Sequence, residues 1–368
     1  MIINLKSDTD LSGFYVIYEG STNLEKSGIY GIAHLMEHLV CKAFDHLQDE
    51  FEIDGIDWNA YTSDNEVVFY ITGLDEKVNK WKHTFIELLG TFNITKEQFE
   101  NERNIVLEEY ADSFNNQTET HMLNLSRKLF GHYCPIGLRK DLESLTYLDC
   151  LNFFESQYSK PTKIINVSKK NNYKNNLIDF ADKKITKKYK FGEHKTDLEL
   201  GNSFKDKSSL VLLSPLIKED FAYVHFINSM LSMGLNSPLY QEVREKKGLV
   251  YFIYCYLSRM NDVGVVNIST LTSNKNADTV VDILEEVLSN PNKYMTEERF
   301  KLVRESYKVR YKKAKINRYS NVNKWIEPDG WHVSDILSDI TYDKVMKVYK
   351  KYYKFDKFYV SNDKKEFK

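Results

Sequence analysis

Apolar and polar positions repeat with two different periods along this chain. At 32–40 the apolar residues Ile32, Ala33, Leu35, Met36, Leu39 and Val40 have helical spacing and predict a largely buried helix over about 30–47. Its polar heads His34, Glu37 and His38 share one face, because residues i, i+3 and i+4 stack on a helix. Upstream, 14–19 reads as a strand closed by Gly20 and Ser21. Downstream, 59–63 and 66–72 read as neighbouring strands, the second rich in β-branched and aromatic residues. Asp75 leads into a helix carrying Trp81, Phe85, Ile86, Leu88 and Leu89. Thr95-Lys96-Glu97-Gln98 has the form of a capping box, so a further helix should run to about 114. Helices over about 117–130 and 146–157 flank a loop at 131–137, and a strand at 163–167 closes this half.

Between about 169 and 207 the periodicity lapses. Lys169-Lys170-Asn171-Asn172-Tyr173-Lys174-Asn175-Asn176 opens a Lys- and Asn-rich stretch that reads as a solvated linker with one short helix at most. The expected division is a first domain at 1–168, a linker at 169–207 and a second domain at 208–368, opening with a strand at 210–213. This second half reads as a degenerate copy of the first. Shifted by 201 residues, Thr95 falls on Thr296, Phe99 on Phe300, and the strand at 66–72 on 267–273. The same shift sets Leu235 against His34, Pro238 against Glu37, Leu239 against His38 and Arg310 against Glu109, so the copy keeps the framework without the polar heads. Two generic αβ units aligned at one offset are the alternative.

Composition narrows the function classes. A chain of 368 residues can hold two domains with separate cores. With 51 basic against 53 acidic residues, a net charge of -2, no overall field directs it to nucleic acid or to an anionic membrane. No apolar run reaches the ~18 to 20 residues of a spanning helix, and 1–8 reads as neither a secretory nor a transit segment; cytoplasmic action without a membrane partner is the expectation. Cys41, Cys134, Cys150 and Cys255 form no C-x-x-C, which points to reduced, buried thiols. Cys41, three residues past His38, would be a functional thiol only if exposed.

His34-Leu35-Met36-Glu37-His38 is an H-x-x-E-H, the order of the inverted zinc-hydrolase motif. The plain alternative is a pair of satisfied core histidines. A catalytic zinc takes three protein ligands and leaves one position open. His34 and His38 would supply two, and the capped helix carries acids for the third. Glu102 and Glu109, seven apart, lie two turns from each other on one face. Glu97, Glu100, Glu102, Glu108 and Glu109 would also make an ordinary solvated acidic face, and spacing alone leaves Glu108 against Glu109 open. Glu37, between the histidines, is placed to take a proton from water and pass it to a leaving amine.

The pair of segments His34-Leu35-Met36-Glu37-His38 and Asn101-Glu102-Arg103-Asn104-Ile105-Val106-Leu107-Glu108-Glu109 resembles the pitrilysin and insulinase family of zinc metallopeptidases, which includes the catalytic subunit of the mitochondrial processing peptidase. The likeness runs from about residue 14 to near 350. It implies an α+β fold: two homologous αβ domains, each a mixed, mainly antiparallel sheet packed with helices, together half of a clamshell chamber. It also implies one Zn2+ per chain held by His34, His38 and Glu109, with Glu37 catalytic and Glu102 assisting. Asn59-Ala60-Tyr61-Thr62-Ser63 is similar to the family's strand edge, so the resemblance gives Asn59, Ala60 and Tyr61 to a peptide that adds as an extra strand. The segment from Ser237 to Tyr251 resembles the family's R-x(6)-Y, which implies that Arg244 and Tyr251 bind the scissile carbonyl and its oxyanion. Read without the resemblance, Arg244 is a surface charge and Tyr251 a core residue. The activity implied is zinc endopeptidase action on unfolded peptides small enough to enter the chamber, with a catalytically silent scaffold subunit as the alternative. Because the family's particle closes four such domains and this chain carries two, a homodimer is expected, or a heterodimer with a silent relative. Two departures stand out. The short N-terminus suggests that the strand usually preceding the first matched one is missing or trimmed, and the connection around 42–56 is expected to be shortened.

Overall fold

In the computed structural model, which describes residues 1–170, 172–182, 189–196, 206–260, 263–316, 322, 325–326, 333, 336–353 and 359–362, the chain divides into two units. Met1–Asp112 with His132–Lys187 make the first, and Ser113–Gly131 with Lys188–Lys368 the second.

Among the described residues, the first unit is built on five strands: β1 (Ile2–Lys6), β2 (Leu11–Glu19), β3 (Asp57–Thr62), β4 (Glu66–Leu74) and β5 (Lys163–Ser168), in the order β1-β5-β2-β4-β3. Strand β2 is buried from Ser12 to Tyr18, as its nearly unbroken apolar run requires of a central strand covered on both faces. It pairs antiparallel with β4, Phe14 opposite Ile71, and with β5, Phe14 opposite Asn166. Strand β3 joins β4 as the antiparallel edge, with Thr62 opposite Val67 and Ala60 opposite Phe69. Of the two expectations for the N-terminus a missing strand is excluded: Ile2–Lys6, five residues long, is present and pairs parallel with β5. It escapes sequence reading because it is short and half-exposed, and its partner lies some 160 residues away.

Among the described residues, six α-helices lie mostly in this unit: α1 (Ile32–Cys41), α2 (Gln48–Asp54), α3 (Asp75–Leu89), α4 (Lys96–Asn115), α6 (Arg139–Ser144) and α7 (Tyr147–Gln157). Helix α3 packs across β2 and β4, while α1 packs on β3 and α7. The predicted capping box opens α4: the Thr95 hydroxyl accepts from the Gln98 amide at 3.1 Å, and Gln98 Oε1 accepts from the Thr95 amide at 2.9 Å. Such a cap stabilises a helix by about 1 kcal/mol.

Among the described residues, four strands form the sheet of the second unit: β6 (Lys207–Leu216), β7 (Val250–Met260), β8 (Val263–Ser273) and β9 (Tyr359–Asn362), all antiparallel, in the order β7-β8-β6-β9. Read from the other end, β9-β6-β8-β7 repeats β5-β2-β4-β3. With it go α5 (Gln117–Phe130), α8 (Lys218–Ser232), α9 (Ala277–Ser289), α10 (Pro291–Tyr294), α11 (Glu297–Ile316) and α12 (Tyr342–Tyr352).

Helix α5 falls inside the 1–168 expected for the first domain, yet it groups with the second unit. There Leu125, Leu129 and Phe130 are buried with Val211, Leu213 and Val265. Helix α11 starts and ends 201 residues after α4, as the repeat reading requires. At the motif helix the same shift fails. Leu235 lies in the turn after α8, and Pro238 and Leu239 open the next helical segment, which runs on into a π-helical turn at Tyr240–Glu245, because α8 begins two residues beyond β6 whereas α1 follows β2 only after a long turn.

Of the expected linker at 169–207, residues 169–170, 172–182, 189–196 and 206 carry no helix or strand, Lys207 already opens β6, and 171, 183–188 and 197–205 lie outside the described residues. Among the described residues no helix is long and apolar enough to cross a membrane.

Candidate metal and peptide site

Helix α1 is held in place before it offers any chemistry. Gly31, just ahead of it, has φ 99°, a conformation open to glycine at little cost. A Cβ on Gly137 would lie 2.4 Å from Gly31 Cα and from the Tyr30 carbonyl, so the 131–137 loop can cross here only with glycine at 137. Glu25 Oε1 accepts from the Ala33 amide at 2.9 Å, placing a carboxylate at the positive end of the helix. Asp141 Oδ2 accepts from the amides of Gly28 and Tyr30, each at 3.0 Å, and the Tyr158 hydroxyl donates to the Ala33 carbonyl at 3.2 Å. Ile32, Ala33, Leu35, Met36, Leu39 and Val40 are buried, which leaves one polar stripe, His34, Glu37 and His38.

That stripe meets α4. His34 Nε2 lies 3.6 Å from Glu109 Oε2, and His38 Nε2 lies 3.6 Å from Glu109 Oε1. One ligand atom from each of His34, His38 and Glu109 falls within 4.8 Å of the others, and among the described residues no other such trio of His, Cys, Asp or Glu occurs. Donors around a tetrahedral ion with ~2.0–2.1 Å bonds are about 3.4 Å apart, so each histidine already lies near that spacing from one of the two Glu109 carboxylate oxygens. The rings of His34 and His38 stand edge to face with centroids 4.8 Å apart. Burial, with a smaller contribution from His38, lowers the His34 pKa to about 4, so its imidazole is neutral at pH 7 and keeps a lone pair to donate. The Glu109 side chain is 47% exposed against 17% and 18% for the histidines, which leaves the cluster open on one side. Glu108 is not part of the trio; the structure brings Glu109 to the histidines.

Glu102, two turns back on α4, sits behind His38 rather than beside it. Its Oε2 is 3.4 Å from His38 Nδ1 and its Oε1 3.6 Å from Lys42 Nζ. An Nδ1–H donated to this carboxylate fixes the tautomer that leaves Nε2 free. Glu37 projects from the same stripe toward β3, where the Thr62 hydroxyl donates to its Oε2 at 2.6 Å. Burial pushes the Glu37 pKa up; Thr62 and His38 pull against that shift, while Glu109 adds to it. Cys41 is no reactive thiol: burial first, and then the carboxylates of Glu37, Glu102 and Asp45, raise its pKa far above the ordinary thiol value.

Strand β3 alternates as an edge strand should. Asp57, Asn59 and Tyr61 are exposed, while Trp58, Ala60 and Thr62 are half-buried. Its outer edge carries no strand among the described residues, and there Asn59 Oδ1 accepts from the Ala60 amide at 2.8 Å. The turn beyond is clamped. The Ser63 amide donates to the Glu66 carbonyl at 2.9 Å, Asn23 Nδ2 donates to the Asp64 carbonyl at 2.7 Å, and His132 Nε2 lies 2.8 Å from Asp64 Oδ1. Thr62, His132 and Asp64 had no role in the sequence reading. Thr62 could have been singled out by its period-two relation to Ala60, but its partner on α1 is 25 residues away.

Arg244 and Tyr251 lie together in the second unit. Arg244 is in a π-helical turn, Tyr240–Glu245, and Tyr251 opens the exposed side of β7. The guanidinium carbon is 4.6 Å from the Tyr240 ring centre and 5.3 Å from that of Tyr251. Tyr251 is 80% exposed, which rules out the core role that the bare sequence suggests for it.

Comparison with known proteins agrees with this architecture. A family model described as Insulinase (Peptidase family M16) matches residues 9–133, and one described as Peptidase M16 inactive domain matches 145–307. An uncharacterized zinc protease of Rickettsia felis is 24% identical over 90% of this chain and 87% of its own length. A probable mitochondrial-processing peptidase subunit beta of Arabidopsis thaliana is 25% identical over 44% of this chain and 32% of its own. Among solved structures, a protease from Helicobacter pylori superposes with a TM-score of 0.81 at 18% identity, covering 98% of this chain and 95% of that one. A Peptidase M16 inactive domain from Pseudomonas fluorescens gives 0.75 at 16% identity, covering 98% and 94%. With the repeated strand order and the two family models covering both halves, the chain belongs to the pitrilysin and insulinase family, M16, of zinc peptidases.

Proposed function

We propose that this chain is a zinc-dependent endopeptidase acting on unfolded peptides. The observation that carries the proposal is the convergence of His34, His38 and Glu109 within 4.8 Å, beside a Glu37 carboxylate oriented by the strand at the sheet edge. Two neutral imidazoles and one carboxylate suit zinc in number and type, and His34 is held neutral as a ligand must be. When bound, zinc would supply a Lewis acid beside the scissile carbonyl and make nearby water more acidic.

In this reading the remaining steps belong to side chains. Glu37 takes the proton from the attacking water as the new C–O bond forms, then gives it to the amine as the C–N bond breaks. Glu102 holds His38 through Nδ1. Asn59, Ala60 and Tyr61 bind the peptide by backbone pairing at the outer edge of β3, where the Ala60 amide would exchange its Asn59 partner for a substrate carbonyl. Arg244 and Tyr251 bind the carbonyl oxygen as it gains charge. They are in the second unit, and we propose that in a homodimer the pair from one subunit serves the metal site of the other. A heterodimer with a non-catalytic relative is the alternative assembly.

A second reading, a catalytically silent scaffold, is favoured by the family model described as inactive over 145–307. That match covers the half without the metal trio, so it fits a chain joining one catalytic and one silent unit. Mass spectrometry of a mixed peptide library incubated with the purified chain separates the two readings. Internal cleavages abolished by a chelator and restored by zinc are expected; no cleavage in zinc-loaded protein would favour the scaffold.

A further inference from the structure

We propose that Thr62 is a positioning residue that couples the general base Glu37 to the strand on which a peptide is bound. This deepens the peptidase reading and rests on it. The Thr62 hydroxyl donates to Glu37 Oε2 at 2.6 Å, and among the described residues no other side-chain hydrogen bond to Glu37 is seen. A hydroxyl has one proton to give. It therefore fixes one carboxylate oxygen and leaves the other to accept from water.

Thr62 is well placed to transmit position. It is the last residue of β3, its backbone pairs opposite Val67, and its half-buried side chain shares a face with Trp58 and Ala60. A β-branched side chain has few χ1 choices, so its hydroxyl follows the backbone closely. The turn that follows is fixed by Ser63 to Glu66, Asn23 to Asp64 and His132 to Asp64. The other side of β3, at Asn59 to Tyr61, is the edge where a peptide would add. Pairing there would rigidify the strand one residue from Thr62, so occupation of the peptide edge and orientation of the base are linked through a single hydroxyl. Glu37 then gains its productive geometry from strand addition as well as from its own helix.

Thr62→Val removes the hydroxyl at nearly constant volume, and Thr62→Ser retains it. In the zinc-loaded full-length chain with a quenched peptide, Thr62→Val should lower kcat about ten- to a hundredfold with KM and zinc content unchanged, and Thr62→Ser should recover most of the loss. An unchanged kcat, a loss confined to KM, or Thr62→Ser as impaired as Thr62→Val would overturn the proposal. Thermal unfolding gives a readout free of turnover. In the chain stripped of metal by a chelator, the Tm changes of Thr62→Val and Glu37→Ala should be non-additive in the double variant, whereas simple addition would deny the coupling. If the wild-type chain cleaves no peptide, the peptidase reading fails, and the unfolding comparison still decides whether Thr62 holds Glu37.

Discussion

The two units share a strand order and differ in what their helices present. In the first, α1 and α4 bring His34, His38 and Glu109 together; in the second, α11 carries Arg310 at the position matching Glu109, and Leu235, Pro238 and Leu239 stand where the shift would place the polar heads. The second unit instead displays an exposed Tyr251 against Arg244. The sheet order is thus compatible with both surfaces, and the chemistry resides in a few side chains set on it, which is why a fold match alone does not establish activity. The difference also assigns tasks under the proposed function: proton transfer and metal binding to the first unit, charge stabilisation to the second.

Each part of this contrast can be tested. The largest effect is expected from Glu37→Gln, which keeps the shape and removes the base. Turnover of a quenched peptide should fall by about 10² to 10⁴ with zinc still bound, and a wild-type rate would remove Glu37 from the mechanism. Arg244→Ala in the second unit should lower kcat about 10- to 10³-fold without touching zinc content. Mixing that variant with Glu37→Gln should restore part of the activity if the units complete each other across a dimer, whereas mixtures of full dimer size that stay inactive would contradict completion between subunits.

A smaller effect concerns stability rather than chemistry. Burial lowers the His132 pKa, but the neighbouring Asp64 and Cys134 more than offset it, and the balance leaves it raised to about 10. A histidine titrating near 6.5 in the unfolded chain and near 10 in the folded one favours folding most while it is protonated in both states. Its contribution is whole below pH ~6.5 and is lost as the pH rises toward about 10. The Tm deficit of His132→Gln, worth about 1–3 kcal/mol at pH 6, should therefore shrink steadily toward pH 10. A deficit independent of pH would mean that packing, not charge, clamps the turn after β3.

What could be read from the sequence was what is local. The apolar stripe of α1, the Thr95–Gln98 cap and the α5 helix at 117–130 each declare themselves within a few residues, and all three are present. Pairings made across long separations were not legible. Strand β1 depends on β5, α5 chooses the second unit because Val211, Leu213 and Val265 cover its apolar face, and Thr62 reaches Glu37 only after β3 lies beside α1. The third member of the metal trio lies between these cases. The capped helix fixed which acids share a face, but choosing Glu109 over Glu108 needed either the family resemblance or the coordinates, since both are acids on one helix. Exposure was equally out of reach: Tyr251 reads as core in a β-rich run and proves to be 80% exposed.

The most direct test of the central claim, that His34, His38 and Glu109 of the first unit hold one zinc ion, is metal analysis of the purified chain beside a Glu109→Arg variant. That substitution gives the first unit the residue found at the matching place in the second, Arg310. After zinc loading and dialysis the wild-type chain should retain one zinc per chain, and so should Arg310→Ala, while Glu109→Arg should retain none. A wild-type chain without zinc, or a Glu109→Arg variant that keeps it, would contradict the account.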